Sequence, residues 1–592
     1  MELLICSGTG CVGNGSLELI KAFREELKKQ KLESKIKIAP SSCHGLCGNG
    51  PVILVQPDNI YYQNVTLNDV KDIVNTHCLK GEALIRLMPK EAVKNENIPK
   101  LKEIGFFSKQ RLVALYNRGV IDPESIDEYI ARGGYKGAAR ALIHMKSEEI
   151  IEEIIAAGLR GRGGAGFPTG VKWGLCAKSE SDEKYIICNC DEGDPGAFMD
   201  RSIMESDPHS VLEGMLIGAK AMGAREGFIY IRSEYPLAIK HFQKAIDDAN
   251  EYGLLGKDIM NSGTDFKLSI YRGAGAFVCG EETSLIHSLE GVLPEPHGRP
   301  PYPAVSGYMG KPTNINNTET WSNVPHILRQ GAKWFASIGT EKSKGTKVFS
   351  LVGKVKNTGL IEVPMGITLR EIVFDIGGGV PNGKKFKAVQ TGGPSGGCLP
   401  KSLLDISVDY ESLQEAGSIM GSGGMIVMDE DTCMVELARY FLSFSLEESC
   451  GKCTPCREGT RHMHDILTAI TAGEGKEGDI ELLEEMGELI KETALCGLGK
   501  TAPNPVLTTI KHFRHEYEAH IRDHKCPAKA CKNLIKFEVI KENCTGCTLC
   551  AKSCPVSAIR GEPKKIHEID QSICVKCGIC RSVCRFNAIG VD

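Results

Sequence analysis

Cys544-Thr-Gly-Cys547-Thr-Leu-Cys550-Ala-Lys-Ser-Cys554-Pro returns thirty residues later as Cys574-Val-Lys-Cys577-Gly-Ile-Cys580-Arg-Ser-Val-Cys584, without the proline. Three thiolates at three-residue steps and a fourth after four suit a four-iron, four-sulfur cubane, and in paired motifs the fourth cysteine serves the other cluster. The spacing therefore predicts one 4Fe-4S cluster on Cys544, Cys547, Cys550 and Cys584, and a second on Cys574, Cys577, Cys580 and Cys554. Zinc also takes four thiolates, but two complete repeats favour clusters.

Outward from this repeat, cysteine remains the informative residue: 25 in 592 residues, mostly in short-spaced groups, as expected for metal ligands in a reducing compartment. Cys450-Gly-Lys-Cys453-Thr-Pro-Cys456 supplies three thiolates and Cys496-Gly-Leu-Gly a fourth, for a third 4Fe-4S cluster or, taken alone, structural zinc. At the N-terminus, Cys6-x4-Cys11 and Cys43-x3-Cys47 lie on glycine-rich loops after short strands; four such thiols suit 2Fe-2S, zinc or two redox disulfides. His520, Cys526 and Cys531 have the donors of a zinc site, with a fourth to come from His524 or another segment. Two free thiols and a surface histidine in a loop fit them equally well. Cys78, Cys176, Cys188, Cys190, Cys279, Cys398 and Cys433 lack such spacing and read as small buried hydrophobes.

Length predicts several domains. Seventy-one basic against 75 acidic residues, a formal charge of −4, argue against nucleic acid as a partner. No apolar run is long enough to span a bilayer and Met1-Glu-Leu-Leu-Ile-Cys-Ser is unlike a signal peptide, so the expectation is a cytoplasmic protein without a membrane partner. Residues 1–85 read as a small α/β module whose helix opens at Ser16 with Leu17, Ile20, Phe23 and Leu27 along one face; 86–109 as a linker; 110–334 as an α/β sandwich. A small β-rich module at 335–435, a helical domain at 436–520, a linker at 521–536 and the repeat domain at 537–592 complete a multidomain α/β and α+β chain.

Within the sandwich, Gly158-Leu-Arg-Gly161-Arg162-Gly163-Gly164-Ala-Gly166-Phe167-Pro-Thr-Gly170 contains a formal GxGxxG, but a helical segment precedes it where a dinucleotide fold has a strand. A loop with little side-chain bulk, two arginines and Lys172 suits a phosphate; an ordinary glycine turn fits equally if nothing else is weighed. Asn189-Cys-Asp191-Glu192-Gly-Asp194 after an apolar strand, Gly280-Glu281-Glu282-Thr283, and Lys311 to Thr320 add the polar groups that gather around ligands of α/β domains.

These five segments, Gly158 to Trp173, Asn189 to Arg201, Gly273 to Thr283, Gly310 to Thr320 and Ser449 to Pro505, together resemble the flavin-bearing, NADH-oxidising subunit of respiratory NADH:ubiquinone oxidoreductase. The resemblance implies that Gly161, Arg162, Gly163, Lys172, Asn189, Asp191, Glu192, Gly280, Ile315, Asn316, Asn317 and Thr320 line FMN. It implies that Phe167, Glu192, Asp194, Phe277, Glu281, Glu282, Arg299 and Tyr302 face NAD(H), with Arg299 and Tyr302 where lysine and phenylalanine are usual. No acid–base catalyst is implied, because hydride transfer at FMN needs positioning alone. The outer domains resemble a thioredoxin-like 2Fe-2S domain and a two-cluster ferredoxin, and the middle module is expected to be β-grasp-like. The fused arrangement is similar to the beta subunit of electron-bifurcating iron-iron hydrogenases. That implies one 2Fe-2S and three 4Fe-4S clusters, with a hydrogen-cluster catalytic subunit, a small thioredoxin-like 2Fe-2S subunit and ferredoxin as partners, coupling NAD, ferredoxin and hydrogen. A flavin subunit of an NAD(P)-linked formate dehydrogenase, or of a non-bifurcating NAD(P)-reducing hydrogenase, is the alternative.

Overall fold

A computed structural model describes residues 1–89 and 100–592. The N-terminal module is a four-stranded sheet of β1 (Glu2–Cys6), β2 (Lys37–Ser41), β3 (Ile53–Gln56) and β4 (Ile60–Tyr62), in the order β2-β1-β3-β4, with α1 (Ser16–Lys29) packed on it. At 100° per residue Leu19, Ile20, Phe23 and Leu27 share the buried face of α1, whereas Leu17 falls off it and is 45% exposed, a correction to the expected stripe. The expected linker lies partly outside the described residues, at 90–99; its flanks are packed, with Leu87 and Met88 in the N-terminal core and Ile104 and Phe106 in that of the β-rich module.

The α/β sandwich follows. Helix α2 (Ser147–Ala157) ends at Gly158, whose φ of 68° is the left-handed value that glycine adopts without strain, and the glycine run leads into α3 (Thr169–Lys178). Strands β5 (Tyr185–Cys190), β6 (Glu226–Arg232), β7 (Lys267–Gly273) and β8 (Thr313–Asn317) form a parallel sheet ordered β7-β6-β5-β8. Parallel strands need covered faces. Between them run α4 (Met199–Ser206), α5 (Pro208–Met222), α6 (Pro236–Glu251) and α7 (Glu282–Leu289), and α8 (Thr318–Gln330) follows β8. The fully buried, tilted pair Trp173 and Trp321 anchors the core, ring centroids 5.5 Å apart.

The β-rich module is a mixed sheet of β9 (Thr346–Gly353), β10 (Gly359–Pro364), β11 (Phe386–Thr391), β12 (Gly397–Pro400) and β13 (Gly424–Asp429), ordered β10-β9-β13-β11-β12. Helices α9 (Met434–Glu447), α10 (Thr460–Ala472), α11 (Asp479–Thr493) and α12 (Asn504–Arg522) make the next unit. The last contains two short antiparallel pairs, β14 (Phe537–Val539) with β17 (Ile589–Val591) and β15 (Ile559–Arg560) with β16 (Glu568–Ile569). No helix among the described residues is long and apolar enough to cross a membrane.

Candidate flavin, nucleotide and metal centres

The polar segments converge at the C-terminal edge of the parallel sheet, where strands hand their chain to loops. Asn189 Nδ2 donates to the Gly280 carbonyl (3.0 Å) and its Oδ1 accepts from Asp191 N (3.0 Å), tying two segments that lie 91 residues apart. Lys172 on α3 donates to the Ile315 carbonyl (2.9 Å) and Glu282 (2.8 Å), and Trp173 Nε1 to Asn316 Oδ1 (2.9 Å). A β-carbon on Gly163 would stand 3.1 Å from Asn317 Cβ, so glycine keeps the loop close to β8. Both carboxylate oxygens of Asp191 are buried without a partner. Burial pushes that carboxyl up to about 7, against the pull of Arg232. Orphaned acceptors are rare in folded proteins, and this one matches the hydroxyls of a ribityl chain, so the cradle fits FMN.

The two arginines of the glycine run are placed otherwise than a phosphate contact requires. Arg162 is fully buried and donates to the carbonyls of Arg160 (3.1 Å) and Lys344 (2.7 Å), while its own N–H donates to Thr320 Oγ1 (2.9 Å). Arg160 pairs with Glu411 (2.5 Å) and lies over the Tyr410 ring. Lys172 is the cation of this group that remains beside the cradle.

Of the residues assigned to the nucleotide, Phe167 and Tyr302 are half exposed, and Arg299 bridges Glu281 and Glu282 (3.0 Å to the latter). Glu281 also caps α7 through the N–H groups of Thr283 (2.9 Å) and Ser284 (3.0 Å). Burial alone would raise the Glu282 carboxyl, but Lys172 and then Arg299 hold it below its usual value. Glu192 is turned inward, accepting from Asp200 N and Arg201 N at the start of α4, and Asp194 accepts from the Ser422 hydroxyl of the β-rich module (2.5 Å). Phe277 packs edge-on to Phe444.

The cysteine sets meet as their spacing requires. Cys450, Cys453, Cys456 and Cys496 line one cavity, which Val278 of the nucleotide segment also lines. Cys554 joins Cys574, Cys577 and Cys580 around a second, and Cys584 joins Cys544, Cys547 and Cys550 around a third. Around a fourth, Cys6, Cys11, Cys43 and Cys47 converge, with Cys43 and Cys47 Sγ 3.8 Å apart. Four convergent thiols without a disulfide are the donor set an iron–sulfur cluster takes.

His520 is a buried residue of α12, not a surface one, and the segment after it is folded rather than a loose linker: Cys526 and Cys531 pack into the core of the helical unit. A fourth candidate donor is Cys433, just before α9: it is buried in the apolar core as expected, but it also faces this group, a role its spacing did not suggest. Its Sγ lies 3.4 Å from His520 Nε2 and 3.6 Å from Cys531 Sγ, and the four donor atoms fall within 4.8 Å of one another. His520 Nδ1 donates to the Glu516 carbonyl (2.6 Å), which leaves Nε2 free to face a metal. Cys433 and then Cys531, hydrogen-bonding to Cys526, hold its thiol well down toward thiolate. A cysteine and a histidine brought together by two packed helices, with a Cys-x4-Cys loop to close the set, suit tetrahedral zinc.

Comparison with known proteins agrees with this layout. Residues 154–326 match the Nuo51 FMN-binding domain and 436–520 the NADH-ubiquinone oxidoreductase-F iron-sulfur binding region. Residues 1–77 match the thioredoxin-like [2Fe-2S] ferredoxin and 543–588 the 4Fe-4S dicluster domain. Over 481 residues the chain is 58% identical to the NADP-reducing hydrogenase subunit HndC of Solidesulfovibrio fructosivorans, covering 81% of this chain and 98% of that one. The chain belongs to the NAD(P)H-dependent flavin iron–sulfur oxidoreductase subunits. Within that family it is 46% identical over 402 residues to the corresponding NADH-quinone oxidoreductase subunit of Escherichia coli (strain K12), covering 68% of this chain and 90% of the relative. A solved NAD+-reducing [NiFe]-hydrogenase is similar over 88% of this chain and 84% of its own, with a TM-score of 0.63 at 29% identity.

Two groups in this flavoprotein have no signature in the sequence. Cys433 stands 87 positions before His520 with no cysteine beside it, so only the packing of α9 on α12 could reveal it. Beneath the flavin cradle, Glu319 and Lys347 form a buried ion pair between α8 and β9. Such pairs are not spelled by any local pattern.

Proposed function

We propose that this chain is the flavin subunit of a hydrogenase-type complex that exchanges hydride between NAD(H) and FMN and single electrons with four iron–sulfur clusters. The reading assigns one 2Fe-2S cluster to the N-terminal cysteine set, 4Fe-4S clusters to the other three, and zinc to Cys433, His520, Cys526 and Cys531. It is carried by one observation: a four-thiol cavity shares Val278 with the segment that ends in Glu281 and Glu282, so a cluster held there would lie beside the proposed hydride site. FMN, when bound, accepts a hydride and releases its electrons singly. The chain's own part is to hold the partners. Asp191, Asn189 and Lys172 fix one ligand against β5 and β8, Glu281, Glu282 and Arg299 orient the other, and Trp173 and Trp321 keep the floor dry.

The finer reading is electron bifurcation, coupling NAD, ferredoxin and hydrogen in a cytoplasmic assembly with a hydrogen-cluster subunit and a small thioredoxin-like 2Fe-2S subunit. Cysteine sets at both chain ends and in the middle support it, since a linear wire needs fewer exits. The names of the relatives, NADP-reducing and NAD+-reducing hydrogenase, favour a second reading in which NAD(P) is reduced without ferredoxin. The native complex decides between them. Under hydrogen, the first reading expects nucleotide reduction only when oxidised ferredoxin is also present; reduction at full rate without ferredoxin would select the second.

A further inference from the structure

The loop carrying Cys43 and Cys47 is held from outside its own domain. Gly48 N donates to the Thr358 carbonyl (2.9 Å), Leu360 N to the Gly45 carbonyl (2.7 Å) and Gly119 N to Ser42 Oγ (2.7 Å). On the opposite loop Thr9 N donates to Glu205 of α4 (3.1 Å). The N-terminal module is thus docked by its cysteine-bearing face onto the flavin domain and β10.

That contact delivers a cation. Arg118 is 8% exposed, donates to the Leu360 carbonyl (2.9 Å) and Gln110 Oε1 (3.2 Å), and lies over Gly45, where a β-carbon would stand 2.6 Å from its Nη1. Gly45 is two residues from both Cys43 and Cys47. Its side-chain hydrogen bonds go to a carbonyl and an amide rather than to a carboxylate; Glu362, which also acts on it, is engaged by the N–H groups of Val113, Ala114 and Leu115. A buried, unpaired guanidinium is costly unless an anion faces it. The anion available is the centre itself: in a 2Fe-2S cluster four thiolates and two sulfides outweigh two ferric irons, and reduction adds a further negative charge. Tyr61, 1% exposed and stacked edge-on to Phe107 (5.4 Å), keeps water from one side, so the charge is poorly screened.

We propose that Arg118, supplied by the flavin domain, sets the reduction potential of the centre at Cys6, Cys11, Cys43 and Cys47 above the value its own module would give it. The inference rests on the 2Fe-2S assignment made above. Reduction brings in one electron, from reduced flavin in turnover or from dithionite in a titration, and no bond or proton changes place. A fixed positive charge beside the cluster favours the more negative, reduced form. Docking therefore makes the centre a better electron acceptor than Arg118-free surroundings would, and undocking the module would remove that contribution and turn it into a stronger reductant.

An EPR-monitored redox titration of the full-length holo-chain tests this. Arg118→Gln is expected to weaken reduction of the 2Fe-2S centre at least about tenfold, a fall of about 59 mV for a one-electron couple, with the 4Fe-4S signals unmoved. Arg118→Lys, which keeps the charge but not the forked hydrogen bonds, is expected to titrate with the wild type. An unshifted centre in Arg118→Gln at full cluster content would overturn the proposal. If that variant loses the cluster, Arg118→Met, which removes the charge while keeping side-chain bulk, carries the test beside Arg118→Lys: a tenfold fall in the methionine variant with the lysine variant unshifted upholds the charge effect, and two unshifted variants, or a tenfold fall in both, overturn it. A wild-type chain without any 2Fe-2S signal would instead sink the cluster assignment, and the proposal with it.

Discussion

Replacing Lys347 with methionine isolates what holds the floor of the flavin cradle. The Lys347 ammonium is fully buried, pairs with Glu319, and donates to the carbonyls of Val348 (2.9 Å) and Ser422 (2.6 Å). Glu319, 1% exposed, sits in the Asn316-Asn317-Thr-Glu-Thr320 segment and accepts from Val348 N (2.8 Å). Lys347→Met therefore leaves a carboxylate in the core with one donor and no counter-charge. Breaking such a pair costs about 3–5 kcal/mol, because the surviving charge is uncompensated. A unit of this size shifts its midpoint by about 2–4 °C per kcal/mol, so thermal release of flavin, followed by its fluorescence, should move down by about 6–20 °C. The double variant with Glu319→Gln should recover much of that loss, since no bare charge remains. A single variant that melts with the wild type, or a double variant worse than the single, would show that the pair does not carry the cradle.

Cys433→Ser should abolish zinc binding while iron content stays constant, read by elemental analysis, because three donors hold zinc far more weakly than four. Glu282→Gln should raise KM for NADH about tenfold through loss of a charge-assisted contact, with flavin and iron unchanged; unaltered NADH–viologen kinetics would move the nucleotide site elsewhere. In the flavin-free chain, burial raises the Asp191 carboxyl from its ordinary 3.8 to about 7. The unfolded chain therefore loses this proton first, so stability falls as pH rises from about 4 and levels off above about 7. Asp191→Asn should be less sensitive than wild type between pH 5 and 8 in denaturation of the flavin unit, and an identical pH profile would refute the assignment.

The cysteine repeats were legible because cluster ligation is written in local spacing. A cubane fixes the distance between successive thiolates, so Cys544 to Cys554 and Cys574 to Cys584 announce their partners, and even the exchange of fourth ligands follows from the pairing. The strand-end positions of Asn189, Asp191 and Asn317 were legible for a related reason: apolar runs ending in polar clusters mark where a parallel sheet opens to a ligand. Arg162 shows the limit. A guanidinium beside three glycines looks free to meet phosphate, yet backbone carbonyls that no pattern displays, those of Arg160 and Lys344, claim it. Leu17 fails on geometry alone, being apolar on the wrong side of a helix.

What stayed hidden shares one physical property: each such group is defined by a partner far along the chain. Cys433 joins a candidate metal-donor group only when α9 packs on α12, and Lys347 becomes a counter-ion only when β9 closes under α8. Arg118 is the sharpest case, because in sequence it is one more cation, set between the mostly apolar Leu112 to Tyr116 and Val120-Ile121, with no cysteine near it. Its meaning appears only when Gly45 lets the guanidinium settle against the loop between Cys43 and Cys47. Local spacing therefore tells which residues can hold electron carriers, while long-range packing, on the proposal above, tunes the energies of those carriers. Direction of electron flow depends on the second. On the proposal above, a chain with the same cysteines but a neutral residue at 118 would keep its four cysteine sets and make the N-terminal one a poorer electron acceptor.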